Sequence, residues 1–256
     1  MPCLHKGSFK RYLIMLIETQ AIVLNTLKFG DADLIARCYC KEIGLKSFLL
    51  KGILNSKKGR LSKSLFQPLS LIRLITLIKN ENSEGLLFIR EAHLHYPLNE
   101  IPTDIKKNTV GQFLGEVLSR VISEEGAPNP QLYQFIEEKI IYLETQSFSP
   151  IFHLKFMTEL SHHLGFYPNK SSINEDYFDM ETGCFCSNTP SKFLVSGPVV
   201  VAFKELLGIK FDQLKQISVP NTIRTKLLVV LLDYYNLHLE NFGKIKSIDI
   251  LHEIFR

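Results

Sequence analysis

Residues 17–40 read IETQAIVLNTLKFGDADLIARCYC. On either side of KFGDA the residues carry a two-residue period and many β-branched side chains, the pattern of two strands joined by a tight turn. Gly30 and Asp31 supply the turn, because glycine tolerates positive φ and aspartate bonds to its own backbone. Working outward, the same period predicts strands at Ile17–Leu27, Asp33–Cys40, Leu45–Lys51, Leu69–Lys79 and Gly85–Leu94. Five short strands in succession imply a small closed barrel, since closure removes the sheet edges that would otherwise pair with other chains.

After PLNEIPTD the period becomes helical. Pro102 precedes Thr103 and Asp104, which can cap a helix, and Val110, Phe113, Leu114, Val117, Leu118 and Val121 then share one face. Leu132, Phe135, Ile136, Ile140 and Leu143 form a second such stripe. A third helix follows Pro150 and stops near Gly165 and Pro168. Residues 169–196 are polar and turn-rich, an irregular excursion or small hairpin. Helical patterning resumes near Pro198, strongly at Thr222–Asn241 and briefly at Ser247–Phe255. The expected fold class is therefore α+β and multi-domain. Residues 1–14 form a poorly ordered extension, 15–96 a five-stranded barrel, and 97–256 a helical domain carrying 169–196 as an insert.

The net charge of +4 conceals an asymmetry. Residues 1–95 hold 15 Lys and Arg against 7 Asp and Glu, whereas residues 96–256 hold 15 against 19. A polyanion partner is thus more plausible for the first third of the chain than for the rest. The loop between the third and fourth strands, KGILNSKKGRLSK at 51–63, concentrates that charge, and no acid lies between Lys46 and Lys79. Small barrels bind single strands by pairing such a cationic surface with aromatic platforms. Lys51, Lys57, Lys58, Arg60 and Lys63, aided by Arg37 and Lys46, are the candidate phosphate contacts. Phe48 and Phe66 are the candidate stacking residues, with Phe29 and Tyr39 on adjoining segments.

Other constellations are weaker. Asp31 and Asp33 read as turn residues, and His93 and His95 as structural histidines. Cys184 and Cys186 form a C-x-C, but a structural zinc site needs four ligands, so they are at most weak metal candidates even with His162 and His163 nearby. No phosphate-binding glycine loop, nucleophile elbow or H-E-x-x-H occurs, and nothing asks for catalysis or a cofactor. No apolar run approaches the ~20 residues that cross a bilayer. Five irregularly spaced cysteines fit a reducing compartment, so a cytoplasmic, nucleoid-associated location is expected.

Four segments in order resemble the RecO family of bacterial recombination mediators: ETQAIVLNTLKFGDADLIA, GLKSFLLKGILNSKKGRLSKSLFQPLSLI, FMTELSHHLGFYPN and LLDYYNLHLENFGKIKSIDILHEIF. The similarity runs from about Met15 to the C-terminus. It implies an N-terminal OB-fold that binds single- and double-stranded DNA, a helical domain, and no enzymatic turnover. It further implies annealing of complementary strands and, with RecR, loading of RecA onto DNA coated by single-strand-binding protein (SSB). The acidic, Phe-ending tail of SSB would dock on the helical domain, and Lys155, which stands where the family often has Arg, is implied as a candidate contact for it. Many members carry two C-x-x-C pairs that form a zinc knuckle, and this chain resembles the members without one. Two rival readings remain: a protein-interaction adaptor with a scaffold barrel, and an RNA-binding OB-fold protein, which charge alone does not separate from a DNA binder.

Overall fold

The computed structural model describes residues 15–55, 61–78, 85–123, 127–187 and 190–255. Five strands, β1 (Met15–Phe29), β2 (Asp33–Cys40), β3 (Gly44–Leu50), β4 (Leu71–Ile78) and β5 (Leu86–Tyr96), pair in the order β1-β2-β3-β5-β4. β4 returns to β1, with Met15 opposite Ile78 and Ile22 opposite Leu71, so the ring closes. β3 and β5 run parallel and every other pair is antiparallel. This is the OB-fold arrangement.

Alternation sorts the strand residues onto two faces. Ala21, Val23, Ala36, Cys38, Phe48, Leu50, Ile72 and Leu74 fill the barrel. Ile22, Leu24, Tyr39 and Leu71 point outward yet are buried, because the helices cover that side. The barrel is thus apolar inside and, on one flank, outside as well. The fourth strand begins two residues later than its period predicts. Leu69 has a positive φ of 66° and donates its N–H to the Val23 carbonyl at 2.7 Å, which takes it out of the ladder.

Among the described residues seven helices follow: α1 (Glu100–Thr103), α2 (Ile105–Val121), α3 (Pro130–Thr145), α4 (Phe152–His163), α5 (Pro198–Gly208), α6 (Asn221–His238) and α7 (Ile248–Ile254). Asp104 caps α2 by accepting from Lys106 and Lys107, and Asn129 caps α3 by accepting from Leu132, with Pro130 in the first turn. Both predicted stripes are buried. The unforeseen joint is Glu144 near the end of α3. Its carboxylate accepts the N–H groups of Asn99, Glu100 and Ile101 at 2.7–2.9 Å, satisfying the start of α1 from a distance.

The insert is more regular than its composition suggests. β6 (Tyr177–Asp179), β7 (Cys184–Cys186) and β8 (Leu194–Ser196) form a sheet in the order β7-β6-β8. Phe178 and Phe185 turn inward against Phe203 of α5, with ring centroids 5.1 and 6.2 Å away. Three short strands hold together because two aromatic side chains anchor them to the helical core. Among the described residues no helix is long and apolar enough to cross a membrane.

Candidate nucleic-acid interface

The β3–β4 connection is anchored at both ends. At its start the Gly52 N–H donates to Asp33 Oδ1 at 2.7 Å, and the Leu54 N–H donates to the Ala32 carbonyl at 3.0 Å. These bonds tie the loop to the β1–β2 turn and give Asp33 a structural task. At its far end a 3-10 helix, Lys63–Phe66, follows Ser62, and Phe66 plugs the barrel core with Ile53. Lys51 and Lys63 therefore sit, exposed, at fixed points on either side of the connection. Lys57, Lys58 and Arg60 lie outside the described residues, as does the proposed extension 1–14.

The remaining two predicted cations are not on one surface. Arg37 pairs with Ser47 and Cys38 with Lys46, so Arg37 and Lys46 are one step apart on neighbouring strands and project to opposite faces. Arg37 leaves the outer face of β2 and is half-buried. Burial, and after it the charge of Arg120, presses the Arg37 pKa downward. Lys46 shares the parity of Phe48 and points to the mouth of the barrel, where it opposes the strong upward shift that burial imposes on the Cys40 thiol.

The predicted stacking residues are corrected by their burial. Phe48 and Phe66 are 0% and 3% exposed, so neither offers a ring face to a base. Phe48 pairs with Ala36 of β2 and Leu87 of β5, both buried, so strand pairing turns its ring inward. Tyr39 is likewise buried, and its hydroxyl donates to the Asn129 carbonyl. The exposed rings of the barrel are Phe29 and Phe88, the latter 61% exposed. Phe88 was hidden in the continuous apolar run LLFI, where alternation is not visible.

Phe88 belongs to a larger feature. Leu27 pairs with Ile35, Ile35 with Leu49, and Leu49 with Phe88; Thr76 pairs with Ile89, bringing Leu77 beside Phe88, and Leu77 pairs with Leu16. These outward side chains follow the strand pairing from Leu27 of β1 through β2, β3, β5 and β4 back to Leu16 of the same strand. Leu16, Leu27, Leu77 and Phe88 are all exposed. Exposed apolar side chains grouped along a barrel are characteristic of interaction surfaces.

Lys155 lies on α4 in a groove of about 490 Å³ between α3, α4 and the 3-10 segment Phe211–Gln216. Its Nζ is buried, donating to Glu159 Oε1 at 2.5 Å and to the Leu206 carbonyl at 3.0 Å. The charge of Lys155 is thus already balanced. Phe135, Tyr142 and Phe211 give the groove aromatic walls, and Lys139 lies 4.6 Å from the Phe211 ring centroid. Lys210 at the rim is exposed. Burial lowers the pKa of His163 in the same groove, as do His162 and Lys139, with Glu159 opposing them.

Cys184 and Cys186 are partly exposed on β7. Among the described residues no group of three His, Cys, Asp or Glu side chains is placed to hold a metal ion. His162 packs edge-on against Tyr167 and His163, while His95 lies 3.4 Å from Glu137 and 3.2 Å from Gln20. His93 is exposed.

A closed five-stranded OB barrel with a cationic connection is backed by a helical bundle, a construction in two parts. Residues 15–98 match the family described as Recombination protein O N terminal, and residues 102–247 match Recombination protein O C terminal. The chain is 37% identical over 242 residues to the DNA repair protein RecO of Flavobacterium johnsoniae and 34% identical over 242 residues to that of Christiangramia forsetii. It is 35% identical over 245 residues to that of Bacteroides fragilis. Each alignment covers 94% of this chain and 100% of the relative. The chain belongs to the RecO family of DNA repair proteins.

Proposed function

We propose that this protein binds single- and double-stranded DNA through the barrel, anneals complementary strands, and with RecR helps load RecA onto SSB-coated DNA. The observation that carries the reading is the pair of exposed lysines, Lys51 and Lys63, held on either side of a connection that is cationic throughout and contains no acid. Lysines there neutralise phosphates on two strands, reduce the repulsion between them, and release counterions. Annealing by this route involves no bond chemistry and no nucleotide, so the protein works without catalytic turnover. The barrel at 15–96 is the DNA-binding unit, and the helices at 97–256 are the docking unit.

The groove on the helical side supports a second contact. Its aromatic walls suit a terminal phenylalanine, and Lys139 and Lys210 suit the acidic residues and carboxylate of the SSB tail. Lys155 acts there by positioning Glu159 and the groove wall. The exposed apolar side chains Leu16, Leu27, Leu77 and Phe88 support a protein partner on the barrel, which we assign to RecR. The same side chains favour the adaptor reading, in which the barrel binds protein and no DNA.

Strand annealing on SSB-coated DNA separates the two. The wild-type chain should anneal, and a variant with Lys51, Lys57, Lys58, Arg60 and Lys63 changed to Ala should not. Equal annealing by both proteins would remove the loop from the mechanism, and absence of DNA binding by either would favour the adaptor.

A further inference from the structure

Arg37 of β2 and Arg120 of α2 are two cations brought toward each other across the junction of barrel and helices. Arg37 projects from the outer face of β2, in register with Asn25 of β1 and Ser47 of β3. Asn25 Nδ2 donates to Ser119 Oγ at 3.0 Å, which clamps the last turn of α2 onto this part of the barrel. Arg120, the next residue, is exposed, and its charge adds to the burial that presses the Arg37 pKa downward. Among the described residues neither guanidinium makes an ion pair. The acid on the same helix, Glu116, feels Arg120, but its carboxylate is taken up by the Lys246 N–H, the Ser247 N–H and the Ser247 hydroxyl at 2.7–2.9 Å.

Two like charges, one of them half-buried, raise the energy of the protein unless an anion joins them. Guanidinium forks match the geometry of a phosphate better than any other common side chain. The dipole of α2 gives Arg120 a separate reason to sit at a helix C-terminus, but it offers nothing to Arg37, which leaves a strand.

We infer that Arg37 and Arg120 together hold one phosphate of a bound strand, so that the nucleic-acid path runs off the barrel and onto α2. This rests on the DNA-binding reading above and extends the contact surface to the helical part of the chain, whose overall charge is negative. A strand that touches both parts would also feel their relative position.

The test is titration of a labelled single-stranded oligonucleotide with full-length protein over a series of salt concentrations, using Arg37→Gln, Arg120→Gln and the double variant. Each single change should weaken binding by about threefold, as for loss of one phosphate contact. Because one phosphate is shared, the losses should not multiply in the double variant, whose salt slope should fall by roughly 0.7. Arg120 is exposed, so its variant should keep the wild-type melting temperature. Wild-type affinity in Arg120→Gln, or losses that multiply, would overturn the shared site; if a Lys51 and Lys63 double variant still weakens binding, the DNA reading survives. Absence of salt-dependent binding by the wild type would remove both. In a parallel arm, inorganic phosphate should not raise the melting temperature of the wild type more than that of Arg120→Gln. A selective rise with an unchanged DNA affinity would assign the pair to free phosphate and overturn the inference.

Discussion

Gly115 of α2 crosses β1 so closely that a Cβ at this position would lie 3.0 Å from the Leu24 carbonyl oxygen and 3.4 Å from Pro68 Cβ. The contact is with backbone, which cannot swing aside. In an open helix Gly→Ala would gain ~1 kcal/mol. Here Gly115→Ala should instead cost roughly 1–2 kcal/mol through overpacking. A lower midpoint in urea at an unchanged m-value is the expected result.

Glu144 accepts three backbone N–H groups at the start of α1, and its own carbonyl accepts from the buried Lys107 Nζ at 2.8 Å. Glu144→Leu removes the acceptor and strands three donors. The expected destabilisation is about 2–4 kcal/mol. Equilibrium denaturation measures it, and a change below ~0.5 kcal/mol would mean that water replaces the carboxylate.

His153 is buried between α2 and α7, edge-on to Phe113 and stacked on Phe255. Burial, and then Arg224 and His252, push its pKa down to about 3. It stays neutral in the folded chain while the unfolded chain takes up a proton below about pH 6.5. Unfolding therefore binds a proton between those values, and stability falls as the pH drops from 6.5 toward 3 by up to ~1.4 kcal/mol per pH unit. His163 adds to the same trend. His153→Phe should flatten this acid limb in thermal melts across pH.

If the cationic connection neutralises about five phosphates, log K should fall with log salt at roughly −3.5 on single strands. Changing Lys57, Lys58, Arg60 and Lys63 to Ala should flatten that slope by ~2–3. An unchanged slope would detach the loop from DNA binding.

Metal analysis of the purified chain should find less than stoichiometric zinc. Cys184 and Cys186 alternate with the buried Phe185, whose ring belongs to the core, so they offer two thiols and no second pair. One tightly bound zinc per chain would show that ligands come together in a way the sheet does not suggest.

Much of the fold was legible. Period two placed five strands within a few residues of their ends, and period 3.6 placed the stripes from Val110 to Val121 and from Leu132 to Leu143. Asp104 and Asn129 cap helices because their short polar side chains reach back to free N–H groups, a local interaction that sequence carries. Less of the site was legible. Charge located the connection from Lys51 to Lys63, but the same sequence did not reveal that Phe48 and Phe66 are core, that Phe88 is surface, or that Arg37 and Lys46 face opposite ways.

By itself, then, the sequence determined what depends on neighbours along the chain: strand and helix periods, caps, turns, the basic stretch and the family motifs. Tertiary structure decided what depends on residues far apart. The charge of Arg120 reaches Arg37 only because Asn25 is bonded to Ser119, and Leu16 joins Leu77 only because β4 closes the ring onto β1. A one-residue step along a strand reverses which face a side chain occupies, so the sites of a barrel are fixed by register, and register is set by pairing partners that no local pattern names.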